Sequence, residues 1–240
     1  PLAAPLQSVW FEGTAVLKGI GLAHVEGMPQ RWTGDDADRP NYFELSKPVD
    51  WPTLPATERL SELPAGATVT PHGDEGMTLT ATDTTKPSWA AFKLPQGGFY
   101  DLVCEVEQAD PQTGVYLGDD KGYPRHAIGF CEYQPGQPLH VASGRPTDLK
   151  PRYKYDARNS ALPTIALPGR LRLLCGAGTV KVFGTVDGRS WGRIMEPIRG
   201  VDGHPPTLGV YCAPGKGKRS IKLSRVRCET RFRSEEHTSE

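Results

Sequence analysis

No stretch of this chain approaches the roughly 20 consecutive apolar residues that a bilayer-spanning helix needs, so membrane insertion is not expected. Nor is there an excess of either charge. Lys and Arg number 28, Asp and Glu 28, which leaves no overall field to draw nucleic acid, and no nucleic-acid partner is expected. The chain has no Cys-x-x-Cys pair and no Cys/His cluster at zinc spacing. It also lacks a Gly-x-Ser-x-Gly elbow, a phosphate-binding glycine loop and a His-Glu-x-x-His helix. Nothing local therefore points to catalysis.

Glycine and proline are plentiful. The 27 glycines and 23 prolines are spread along the chain rather than clustered, as in proteins built from many short strands and tight turns. At 240 residues the chain can bury one substantial core. Five cysteines are an awkward number. Cys104, Cys131, Cys175 and Cys212 each end an apolar run, which suits buried thiols inside strands. One or two disulfides across a sandwich are also compatible, with Cys228 pairing with Cys212 or Cys175.

Residues 1–62 read as a leader: an edge strand at Val9–Leu17, then a long connection in which prolines at 48, 52 and 55 forbid a regular helix and disfavour a central strand. From Ala67 onward strand signals recur at sandwich spacing. They fall at Met77–Thr82, Trp89–Leu94, Phe99–Glu107, Thr113–Gly118, Ala127–Tyr133, Leu171–Cys175, Thr179–Val186, Thr207–Cys212 and Ile221–Arg227. Alternation places Leu102, Cys104 and Val106 on one face and Val103, Glu105 and Glu107 on the other. Asp119-Asp120-Lys121-Gly122 reads as a hairpin turn. Residues 135–163 read as a long polar excursion. The last eight residues, Arg233–Glu240, match the translation of AGATCGGAAGAGCACACGTCTGAA. That string is similar to the start of a sequencing-library adapter, so 231–240 is expected to be largely artefact, and the chain a fragment of a larger, multidomain gene product.

The runs VKVFGTVDGRSW (Val180–Trp191), PPTLGVYC (Pro205–Cys212) and SIKLSRVR (Ser220–Arg227) resemble the closing strands of laminin-G-like jelly rolls in the concanavalin A-like superfamily. TGVYLGDDKG followed by HAIGF is similar to an earlier piece of the same domains. The resemblance implies an all-β fold, a two-sheet antiparallel β-sandwich over residues 63–230. It also implies a non-catalytic module for a carbohydrate or protein ligand, working outside the cell or at its surface. The alternatives are a glycoside hydrolase or lyase of the same superfamily, or a structural spacer without a ligand.

Sugar recognition uses exposed aromatic planes beside polar groups. Tyr123, Arg125, His126, Tyr153 and Tyr155 lie in such contexts and are the candidate ligand-binding residues, though loop tyrosines also pack down as plugs. Trp89 and Trp191 read as core or lid. Asp119 and Asp120, with Asp187 or Asp202, are the candidate ligands for the Ca²⁺ that such domains sometimes carry, although two adjacent carboxylates would not both point inward and turn chemistry explains them as well. The hydrolase alternative needs paired carboxylates, but Glu105-Val-Glu107-Gln-Ala-Asp110 departs from the expected order and reads as a solvated strand face. Gly215-Lys-Gly-Lys-Arg219 reads as a solvated hairpin tip, too short for more than a few contacts with a polyanion.

Overall fold

The computed structural model describes residues 47–73, 76–95, 99–132, 139–144, 149, 167–176, 178–185, 192–195, 197–201 and 205–231. The expected strand at Val9–Leu17, the Asp187-Gly188 turn, Trp191, Tyr153, Tyr155, Asp202 and the segment 233–240 all lie outside these residues.

The described residues form two antiparallel sheets. One takes β1 (Lys47–Pro48), β3 (Ala67–His72), β4 (Gly76–Thr84), β6 (Phe99–Ala109), β10 (Gly169–Gly176), β11 (Thr179–Thr185), β12 (Gly192–Arg193), β13 (Ile198–Arg199) and β15 (Gly215–Arg231). Its main path runs β12-β11-β10-β6-β15-β4-β3. The other takes β2 (Leu60–Glu62), β5 (Ser88–Lys93), β7 (Thr113–Gly118), β8 (Pro124–Cys131), β9 (His140–Gly144) and β14 (Thr207–Cys212), in the order β2-β5-β14-β7-β8-β9. The fold is thus the all-β, two-sheet antiparallel sandwich that the strand spacing predicts. No helix among the described residues is long and apolar enough to cross a membrane.

The last two strands hold the middle of each sheet. β14 lies between β5 and β7, and β15 between β6 and β4. Alternation fills the space between the sheets. Leu102, Cys104 and Val106 from β6 meet Leu208 and Val210 from β14 and Ile221 and Leu223 from β15 in one fully buried cluster. Burying each such side chain contributes roughly 1.5–3 kcal/mol.

The connection before Leu63 packs on the sandwich: Lys47 and Pro48 pair with Cys228 and Arg227, and Val49 and Trp51 enter the core. Pro48 is tolerated there because its strand pairs on one side only. Two local readings need correction. The excursion 135–163 contains β9, whose five residues carry too short an apolar run to stand out. Gly215–Arg219 is not a hairpin tip: it opens β15, pairing with β4 through a bulge between Gly215 and Lys218.

The outer face of the six-stranded sheet is also dry. Tyr116 of β7 sits opposite Gly209 of β14, and Tyr211 of β14 opposite Gly114 of β7, so each tyrosine ring lies over the glycine across from it. A Cβ at Gly209 would come 2.3 Å from the Tyr116 ring, and one at Gly114 would come 2.3 Å from the Ile128 carbonyl oxygen and 2.6 Å from the Tyr211 ring. Tyr116 and Tyr211 form a second cluster with Trp89, Ala91, Ala127 and Leu149. Gly114→Ala is expected to lose about 3 kcal/mol, since backbone on one side and a packed ring on the other leave no relaxation path. Urea denaturation checks this, and a loss below about 1 kcal/mol refutes the reciprocal packing.

Candidate functional site

Two large apolar side chains among the described residues stand exposed, Leu63 and Tyr123. Tyr123 follows the β7–β8 turn, and Asp119 builds that turn. Its Oδ1 accepts from the backbone N–H groups of Lys121 (3.1 Å) and Tyr123 (2.9 Å), the side-chain-to-backbone bonding that makes aspartate a turn former. The Asp119 carbonyl accepts from Gly122 N–H (2.9 Å) and Thr207 Oγ1 (3.2 Å). Gly122 has φ of +80°, and a Cβ there would strike Leu60 at 2.6 Å. Only glycine suits that position.

Below the turn, Tyr116 Oη donates to the Gly122 carbonyl at 2.8 Å. Trp89 stands edge-on to both Tyr116 (6.3 Å between ring centroids) and Tyr123 (6.4 Å), within the range of favourable aromatic pairs. Trp89 Nε1 donates to Glu62 Oε2 at 3.2 Å, fastening β5 to β2. Arg125 lies 5.9 Å from the Tyr123 ring centroid, a cation–π distance. Its Nε and one terminal nitrogen donate to Asp119 Oδ2 at 3.1 and 2.8 Å. The result is a 44% exposed phenol ring held by a tryptophan, an arginine and its own backbone, with the guanidinium largely in solvent.

The candidate residues thus separate. Tyr123 and Arg125 come together. His126 shares the face of Ile128 and Phe130, to which the regular pairing of β8 relates it by the period of two. Asp119 gives both carboxylate oxygens to the turn and to Arg125, so a guanidinium occupies the position a cation would need. Asp120 is exposed on the same turn. Among the described residues no group of three or more His, Cys, Asp or Glu is placed to hold a metal, and calcium requires six to eight oxygens. Turn chemistry takes up the side chain of Asp119. Trp89, Leu60 and Glu62 belong to the platform although they are distant in sequence; no local signal ties them to Tyr123.

The carboxylates on the outer face of the nine-stranded sheet are neutralised. Glu105 Oε2 accepts from Arg170 Nε (3.4 Å) and from Arg225 (3.2 Å), and Glu107 pairs with Lys222. Burial works to raise the Glu107 pKa, but hydrogen bonds from Lys222 and Ser224 and the charges of Lys222 and Arg225 outweigh it and hold the carboxyl below its usual value. A glycosidase acid needs the reverse, a raised pKa.

No family model matches the chain. A 114-residue segment is 31% identical to a probable xylan O-acetyltransferase 9 from Oryza sativa subsp. japonica, covering 46% of this chain and 23% of that protein; the match thus spans about a quarter of that relative's length. Among solved structures, a functionally unknown protein from Saccharomyces cerevisiae is similar at 14% identity and a TM-score of 0.46, over 79% of this chain and 98% of that one. The exoplasmic/lumenal domain of VIP36 in its Ca²⁺/Man3GlcNAc-bound form gives 9% identity and a TM-score of 0.46, over 79% and 89%. A lectin from Bauhinia forficata in complex with GalNAc gives 8% and 0.42, over 77% and 99%.

Proposed function

We propose that this chain is a non-catalytic binding module that takes a carbohydrate on the Tyr123 platform. The observation that carries the reading is the exposed ring of Tyr123, fixed edge-on to Trp89 with the Arg125 guanidinium beside it. A pyranose presents a face of C–H bonds that stacks on an aromatic ring and a rim of hydroxyl oxygens that accept hydrogen bonds; the ring meets the first and the Arg125 guanidinium donates to the second. Because the turn is already fixed by Asp119, little ordering is left to oppose binding. Asp119, Asp120, Lys121 and Arg125 sum to zero charge, which suits a neutral sugar. A protein loop is the other ligand such a platform accommodates, and an extracellular or cell-surface setting within a multidomain chain goes with either.

Hydrolysis is disfavoured by the cation-paired state of Glu105 and Glu107. Acyl transfer is not proposed from a match covering 23% of the relative.

A glycan array probed with the full chain, with and without calcium, tests the reading. Binding is expected to be selective, to be insensitive to calcium, and to fall at least tenfold in Tyr123→Ala and several-fold in Arg125→Met. Binding unchanged by Tyr123→Ala would overturn the site. Silence on every glycan, with a protein captured through the same tyrosine, would replace the sugar by a protein ligand.

A further inference from the structure

At the opposite end of the sandwich, about 20 Å away along the six residues of β7, lies a cation of a different kind. Arg219 of β15 sits opposite Ala81 of β4 on the core-facing side and is only 7% exposed. Its described partners are the Gly215 carbonyl (2.7 Å) and, at a long 3.4 Å, Thr84 Oγ1. Neither is a carboxylate, and Nε has no hydrogen-bond partner among the described residues. Ser88, opposite Cys212 at the same end, is fully buried and its Oγ also has none. Burying a guanidinium costs several kcal/mol unless negative charge compensates it, and buried polar atoms without partners are rare enough to require a cause.

The surroundings add positive charge. Lys216 and Lys218 flank Gly217 in the bulge that opens β15, and Lys86 lies two residues beyond Thr84; all three are exposed. The acids nearby are committed to backbone: Asp83 Oδ1 accepts from Gly217 N–H (2.8 Å) and Asp110 Oδ2 from Ser220 N–H (2.7 Å). The four cations against two acids leave an excess of two positive charges. A charge held in a low-dielectric interior projects its field to the adjoining surface with little screening.

We propose that this end of the sandwich binds a tetrahedral oxyanion, a sulfate or phosphate group, through Lys216 and Lys218 with the buried Arg219 as the charge behind them. Arg219 is then a positioning residue: it need not touch the ligand, but its charge sets the affinity.

The test is an NMR titration of the full chain with sodium sulfate, sodium phosphate and glucose 6-sulfate, each against sodium chloride at matched ionic strength. Saturable shifts are expected at the amides of Gly215 to Ser220. Tighter binding of glucose 6-sulfate than of inorganic sulfate assigns the site to an ester on a sugar, and equal binding to the free ion. Lys216→Ala/Lys218→Ala should weaken binding at least tenfold with an unchanged melting temperature. Arg219→Met should weaken it several-fold while melting at the same or a higher temperature, because it removes a buried charge. Shifts no different from those in chloride would overturn the proposal, as would an Arg219→Met variant that melts earlier yet binds sulfate like the parent. If Arg219→Met does not fold, the double lysine variant decides.

Discussion

Replacing Asp101 by alanine is expected to cost about 3–5 kcal/mol, the loss typical of removing one partner from a buried ion pair. Arg172 Nε donates to Asp101 Oδ1 and Oδ2 at 3.1 and 3.3 Å, and a terminal nitrogen donates to Oδ2 at 2.7 Å. The two side chains are 0% and 7% exposed. They stand on neighbouring strands β6 and β10, where Arg172 pairs with Val103 and Asp101 with Leu174, so the ion pair crosses the ladder diagonally. The planar fork of the guanidinium fits the carboxylate on two sides, and lysine at 172 would not replace it. For a domain of this size the loss corresponds to a fall in melting temperature of roughly 6–20 °C. Calorimetry on Asp101→Ala, Arg172→Met and the double variant checks it. The double variant should recover part of the loss, because no lone charge is then left in the sheet. A single-variant loss below about 1 kcal/mol would mean that the pair adds nothing to the sheet.

This ion pair shows where the sequence stops being informative. In Phe99–Glu107 the alternation alone fixes which residues face the core, and Leu102, Cys104 and Val106 lie there fully buried. The same alternation puts Asp101 with Glu105 and Glu107 on the outer face, and from polarity alone all three read as solvated. Asp101 is in fact the most buried of them, because its partner comes from a strand 71 positions away. The Tyr123 platform divides in the same way. The Asp119–Gly122 turn is written in four adjacent residues and was legible. The Trp89 ring that steadies Tyr123 comes from β5, and Glu62, which orients Trp89, comes from a three-residue strand. Neither has a local pattern. Arg219 is the sharpest case: among Gly215–Arg219 the two lysines are exposed as basic residues in a loop should be, but the period of two carries the arginine inward with Ile221 and Leu223.

The cysteines carry the last prediction, and the largest. All five stand as free thiols in this structure, and four are buried. Burial pushes Cys104, Cys175, Cys212 and Cys228 each up from 9.0 to about 12. Below pH 9 these thiols are protonated whether the chain is folded or not, and they have no effect on stability. Between pH 9 and pH 12 the unfolded chain releases four protons that the folded chain retains, so stability falls as pH rises. The slope is about 1.4 kcal/mol per pH unit for each thiol, or roughly 5 kcal/mol per unit for the four once the pH is above 10. Over two pH units that amounts to roughly 10 kcal/mol, comparable to the whole stability of a typical domain. Tyr100 and Tyr116 act in the same direction, since burial raises both phenols as well. The expected result is a steep cooperative alkaline unfolding between pH 9 and pH 11, with thiolate absorbance appearing in the same transition. Cys104→Ala/Cys228→Ala should move the midpoint to higher pH, provided the smaller side chains leave the fold intact at pH 7. A thiolate signal that rises near pH 9 while the near-ultraviolet circular dichroism stays native would show that the thiols meet solvent in the folded sandwich, and the buried-core assignment of these cysteines would then be wrong.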